Sequence, residues 1–316
     1  MSKPNKTLQP WELERDRVKK AAKRRRAWSY TKRGFGTVFA AFFAILFLMP
    51  IVLTITNSFM SSSEISSNYG MVFATTSSGG KVYIAEKVTL KFIPDMVSFS
   101  QYITVLLKSP EYLLKFWNSV ILVGPIVVFQ LTVATLASYG FARYRGRIRE
   151  IIFFLYIILM LMPYQVTLVS NYIVLDHMGL LGSYAAMILP GIFSSFGVFL
   201  IKQTVDEIPT ETLEAAKLDG AGVFRTLIYI VAPICRGGIV SLILLNFVDN
   251  WNMVEQPIVF LKEERMYPLS VFLARSLSDT KSAGFACGLL ALAPVMLLYM
   301  NFKEELMNGI AVSSLK

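Results

Sequence analysis

The chain has 316 residues, 54% of them apolar and only 16% charged, with a formal net charge of +10. So apolar a chain of this length excludes an ordinary water-soluble domain. The charge excess is local: the first 33 residues hold twelve Lys or Arg against Glu12, Glu14 and Asp16. Beside a membrane span this reads as positive-inside anchoring on anionic headgroups, and not as a nucleic-acid site.

Apolar runs of about 20 residues, enough to cross about 30 Å of hydrocarbon at 1.5 Å per residue, fall at roughly 34–58, 116–139, 151–174, 183–201, 237–260 and 283–302. They predict an all-α membrane protein with six transmembrane helices. Alternation sets the topology. With the basic tail 1–33 in the cytoplasm, the loop after the second span, with Arg143, Arg145, Arg147 and Arg149, is also inside. The carboxyl-terminal tail 304–316 then lies inside as well, so the expectation is a multi-pass protein of the cell membrane with both termini cytoplasmic. The first span, 34–58, is not a cleaved signal peptide. It is too long, contains Pro50, and leads into Ser61-Ser62-Ser63-Glu64 with no small-x-small site.

The extracytoplasmic segment 59–112 has β-prone stretches, Val72–Thr76 and Lys81–Ile84, on either side of Ser77-Ser78-Gly79-Gly80, with Val88–Phe92 after them. Gly-rich turns between such stretches predict a small external β-hairpin. Beyond Pro94, Phe99–Tyr102 opens a helix on the outer surface. Pro50, Pro125, Pro163, Pro190 and Pro294 lie within spans and kink them. No repeat of 20–50 residues is present.

Within the core 113–303, the segment 204–233 stands apart. Pro209 suits the first turn of a helix, and Glu211 and Glu214 lie near its positive end. Ala215 and Ala216 permit close approach of another surface. Gly220, after Asp219, supplies the left-handed turn that ends the helix, and Val223–Ile230 forms a second short helix leading to Pro233. A short, charged, small-residue helix between two spans is a docking device for a soluble partner.

The fifth span carries Asn246, Asp249, Asn250, Trp251, Asn252, Glu255 and Gln256. A charge at membrane depth costs about 2.5–3.5 kcal/mol or more unless it is paired or faces water, so such residues mark a pathway by default. Asn246, Asp249, Asn250 and Trp251 are the candidate substrate-pathway residues: amides and a carboxylate beside an aromatic suit a sugar. Pairing of Asp249 with a cation on a partner helix is the alternative. Glu255 and Gln256 fall in the outer interface, and the loop Lys262–Lys281 is external. Cys235 and Cys287 read as small apolar residues and not as a disulfide framework. His177, the single histidine, excludes a multi-His metal site. No phosphate-binding P-loop is present. At Gly79-Gly80-Lys81 the pattern fails, with Thr75 in the place of the first Gly and Val82 after the Lys. Catalytic residues are therefore not expected, nor any cofactor of the chain's own.

Glu214-Ala215-Ala216, three residues, Gly220, nine residues, Ile230, one residue and Ala232-Pro233 resemble the signature of the integral membrane permeases of ATP-binding-cassette importers, with Ala232 in place of Leu. The similarity is greatest to the maltose-type, carbohydrate-uptake branch. It extends to Phe116-Trp117-Asn118-Ser119-Val120, Ala137–Arg143, Met162-Pro163, Gly179-Leu180 and Ile208-Pro209. Departures are Cys235-Arg236-Gly237-Gly238, where a proline is usual, the tail Gly309–Lys316, and the long 59–93 segment. The resemblance implies the MetI-like permease fold, with Glu211, Glu214, Ala215, Ala216, Asp219, Gly220 and Pro233 coupling to a cytoplasmic ATPase dimer. Glu214 would meet a basic residue there. It also implies a second homologous permease, an extracytoplasmic solute-binding protein and a carbohydrate substrate, with ATP and Mg bound by the ATPase. The rival readings are a secondary transporter driven by an ion gradient and a non-transporting membrane scaffold.

Overall fold

The computed structural model of the chain describes residues 10–77, 90–108, 110–144, 146–276 and 283–314. It comprises two compact units, 1–56 and 57–316. The first unit is essentially one helix, α1 (Pro10–Asn57), in which the basic tail runs into the first apolar stretch without a break.

The second unit is helical throughout the described residues. It opens with α2 (Ser62–Ser77), which corrects the hairpin expectation: Val72–Thr76 lie inside this helix. Residues 78–89, and with them Lys81–Ile84, lie outside the described residues. The local reason for a helix is an N-cap at Ser61. The Glu64 amide donates to Ser61 Oγ at 3.3 Å, and Glu64 Oε1 accepts from the Asp95 amide at 2.9 Å. Lys91 sits between Glu64 and Asp95, and these two hold its ammonium pKa above the usual 10.5, Asp95 more than Glu64. Ile65 and Tyr69 are buried, with the Tyr69 ring 5.4 Å from that of Phe285.

A short helix α3 (Ser100–Ile103) passes through a π-turn, Thr104–Lys108, toward α4 (Pro110–Arg143). The Phe116–Val120 motif at the start of α4 has a structural role. Asn118 Nδ2 donates to the carbonyls of Arg265 (2.7 Å) and Tyr267 (3.0 Å). Ser119 Oγ accepts from the Leu269 amide at 2.8 Å, and the buried Lys115 donates to the Glu264 carbonyl. The start of the 262–281 loop is thereby pinned onto α4.

The remaining elements are α5 (Arg147–Met160), α6 (Tyr164–His177), α7 (Ala185–Gly191), α8 (Ser195–Asp206), α9 (Thr210–Leu218), α10 (Val223–Thr226), a π-turn Leu227–Val231, α11 (Ala232–Ile234), α12 (Arg236–Trp251), α13 (Glu255–Phe260), α14 (Leu269–Ser276) and α15 (Gly284–Ser314). Four stretches are long and apolar enough to cross a membrane as they stand: Gly36–Asn57, Pro110–Arg143, Ala185–Asp206 and Gly284–Glu305. The count becomes six if two bent pairs are each one span: α5 with α6, at 104°, and Val223–Ile234 with α12, at 82°. The predicted span 151–174 is thus not one straight helix. Pro163 at its middle is extended (ψ 132°), and it lacks the amide that would carry the helix through. The predicted span 237–260 is divided as well, since α12 stops at Trp251 and α13 starts at Glu255.

Helix α4 lies along α8, and α12 packs on both of them and on α15. The crossing of α12 with α8 is close because Gly238 has no side chain: a Cβ there would stand 2.5 Å from Thr204 Cγ2. Cys235 and Cys287 are both buried and unpaired. Gly238→Ala should destabilise the folded subunit by about 1–3 kcal/mol through overpacking, lowering its melting temperature in detergent. Thr204→Ala in the same chain should recover part of the loss. An unchanged melting temperature in Gly238→Ala would show that the two helices separate freely.

Candidate functional site

Two parts of the second unit carry the predicted site residues, the segment around α9 and a cavity beside α12. Helix α9 follows the extended Pro209 (ψ 136°), whose carbonyl accepts from the Thr212 amide at 3.2 Å. It ends in a Schellman motif. Gly220 has φ +76°, its amide donates to the Lys217 carbonyl at 3.1 Å, and the Ala221 amide donates to the Ala216 carbonyl at 3.0 Å. Leu213 and Ala216 are buried, while Glu211, Glu214, Ala215 and Asp219 are exposed. The two alanines therefore serve different surfaces: Ala216 lets the helix sit close on its own chain, and Ala215 leaves the outer face flat. Leu218 is 88% exposed, and Val223 and Phe224 on the touching α10 are exposed too. An apolar patch rimmed by acids marks an interaction surface. Pro233 is exposed on α11, just past the π-turn.

The segment is fixed to the rest of the unit by one core cluster. Leu213, Leu227, Val231 and Cys235 pack with Ala134 and Tyr139 of α4, Val198 and Ile201 of α8, and Leu242 of α12. Ser138 Oγ donates to the Val198 carbonyl at 2.7 Å. Arg149 Nη1 donates to the carbonyls of Phe141 and Tyr144, closing the end of α4. Arg236, at a departure from the expected motif, pairs with Glu305 of α15 at 2.6 Å.

Leu242 also lines a cavity of about 900 Å³. Asn246, Asp249 and Asn250 line it from the next turns of α12. Asn250 Nδ2 donates to both the backbone carbonyl and the side-chain oxygen of Asn246. Asn246 is only 6% exposed, and its own Nδ2 has no hydrogen-bond partner among the described residues. A buried donor without an acceptor is costly, and this one belongs to a residue of the cavity wall.

Trp251 differs from expectation. It does not line the cavity. It is 4% exposed, its Nε1 donates to the Ala291 carbonyl at 3.1 Å, and its ring stacks on Phe247 at 5.2 Å. Residues two apart on a helix point to opposite sides, so Asp249 and Trp251 cannot share a surface. Gln256 also departs from expectation, lining the cavity from α13 instead of lying in an outer interface.

Other lining groups come from elements not singled out in advance: Gln130 of α4, Tyr164, Thr167 and Asn171 of α6, and Ser194 and Ser195 at the start of α8. Apolar surface from Leu159, Phe193, Phe196, Leu245 and Phe260 completes the wall. The available signal was the breaks at Pro163 and Pro190-Gly191, since interrupted membrane helices are tolerated where they border a cavity. A mixed lining of amides, hydroxyls, one carboxylate and apolar faces is equipped to hold a polyhydroxylated solute.

The chain is similar to known proteins over most of its length. The chain is 26% identical over 283 residues to the arabinooligosaccharides transport system permease protein AraQ of Bacillus subtilis (strain 168), covering 89% of this chain and 94% of that one. It is 27% identical over 244 residues to the lactose transport system permease protein LacG of Rhizobium radiobacter, covering 76% and 86%. Among solved structures, a chain of a bacterial ABC transporter involved in the import of the acidic polysaccharide alginate superposes with a TM-score of 0.70 at 21% identity, over 87% of this chain and 97% of that chain. Its similarity supports the permease fold expected from the sequence. Residues 130–304, which contain α9, Gly220 and the whole cavity lining, match the family described as binding-protein-dependent transport system inner membrane component. By this match over more than half its length, the chain belongs to that family.

Proposed function

We propose that this chain is one of two homologous permeases that together enclose the translocation path of an ATP-driven carbohydrate importer in a prokaryotic cell membrane. It crosses the membrane six times with both termini in the cytoplasm. An external solute-binding protein delivers the sugar, and a cytoplasmic ATPase dimer, which binds ATP and Mg, grips the 204–233 segment. The relatives named for arabinooligosaccharides and lactose support the substrate class. Family membership favours this reading over an ion-gradient transporter or a scaffold.

The observation that carries the reading is the shared core cluster. It holds Leu213 of the docking helix and Leu242 of the cavity-lining helix in one packed unit. Close-packed interiors transmit displacement and do not absorb it. When the ATPase dimer closes and moves α9, α12 moves with it, and the face bearing Asn246, Asp249 and Asn250 turns relative to the second permease. Glu211, Glu214 and Asp219 give the exposed surface a negative rim that suits a basic cleft, and Leu218 and Phe224 supply its apolar contact.

Reconstitution of the chain with its second permease, ATPase and binding protein should give ATP hydrolysis stimulated by loaded binding protein. Gly220→Val should abolish uptake in an importer that still assembles, because a β-branched residue resists φ +76° and the Schellman turn is lost. Undiminished uptake in that variant would sink the coupling role. Asn246→Leu should weaken transport of sugar by about tenfold, because it removes a polar group of the cavity wall and the acceptor of the Asn250 amide. A transport constant equal to wild type would remove Asn246 from the path. An impermeant maleimide should label Lys217→Cys in inverted vesicles and not in right-side-out ones; the opposite result would reverse the topology.

A further inference from the structure

We propose that Asp249 makes this chain's face of the cavity a charge filter, which accepts uncharged or cationic polyhydroxylated solutes and turns away anions. The proposal rests on the import reading above and narrows its substrate class. Among the described residues lining the cavity, Asp249 is the one with a formal charge; beside it stand amides and hydroxyls such as Gln130, Asn171 and Ser195, with no Lys or Arg. Asp249 is exposed and forms no ion pair among the described residues. Its charge therefore acts on whatever occupies the cavity.

The competing fields are helix ends. Each carries about half a charge, and the breaks bring them in opposed pairs. The carboxyl end of α5 meets the amino end of α6, and that of α7 meets the amino end of α8. On α8, Ser194 Oγ already accepts the Gly197 amide at 3.0 Å. The paired half-charges offset one another, and the whole negative charge of Asp249 does not have a counterpart. A carboxylate or phosphate on the solute meets like-charge repulsion there. A neutral hydroxyl donates to the exposed Asp249 carboxylate. Sugars of the neutral kind fit this wall, and uronates and sugar phosphates do not.

The test reads the cavity's potential directly in the complete importer. Ser195→Cys places a near-isosteric thiol on the cavity wall. In membrane vesicles it is treated with a cationic and an anionic methanethiosulfonate reagent, and modification is followed by mass spectrometry of the peptide that carries residue 195. Rates are normalised to those of 2-mercaptoethanol. The cationic reagent should be favoured by about tenfold or more, and Asp249→Asn should reduce that preference to within about twofold. Equal normalised rates, or a preference that survives Asp249→Asn, would overturn the filter. ATP-driven accumulation of neutral oligosaccharides in the same vesicles stands separately. Accumulation without a charge preference sinks the filter alone. Failure of every sugar, with the preference intact, sinks the import reading and leaves a cation-preferring cavity. A thiol that neither reagent reaches from either side sinks both.

Discussion

A membrane-embedded backbone has no water to satisfy its N–H and C=O groups, so a helix interrupted at that depth needs protein or a water-filled space beside the break. This constraint organises the second unit. The chain breaks between α5 and α6, between α7 and α8, and between α12 and α13. Residues flanking all three breaks border one cavity: Met160 and Tyr164 at the first, Gly191 and Ser194 at the second, Asn250 and Gln256 at the third. The unwound stretches are gathered where their polar groups can be served, and the same gathering makes a polar chamber.

The second constraint is mechanical. Helix α9 is short, so its two surviving turns owe their stability to packing and capping more than to intrinsic helicity. Burial of Leu213 supplies about 1.5–3 kcal/mol, and the Schellman turn at Gly220 satisfies carbonyls that would otherwise be orphaned. The helix is anchored on one side through Leu213 and Ala216 and open on the other through Glu214, Ala215 and Leu218. A lever needs this arrangement: a fixed face that transmits force and a free face that receives it. The cluster that fixes α9 also contains Leu242, one turn from Asn246, so α9 and the chamber wall share one packed core.

The buried polar groups of the unit divide by satisfaction. Lys115, Asn118 and Ser119 are buried and each hydrogen-bonds the 264–269 backbone, as structural polar groups do. Asn246 Nδ2 is buried and unengaged. The first set pins a loop. The second belongs to a residue of the chamber wall.

Much of this was legible in the amino-acid order. Apolar runs near membrane length, the basic tail and the Arg143–Arg149 loop determine the class, because hydrocarbon thickness and surface charge act on local composition. The Glu214-to-Pro233 spacing determines a short helix and its left-handed stop, because a glycine at the turn and small residues are local requirements. An N-cap at Ser61 was also written there, and the helix it opens overrides the β-prone look of Val72–Thr76. Only the tertiary structure decided that Trp251 belongs to the core while Asp249 and Asn250 face the chamber, and that Gln130, Asn171, Ser195 and Gln256 join them. These groups lie on five different elements, and which faces meet depends on how broken helices pack across long sequence separations, a property that no single stretch of residues contains.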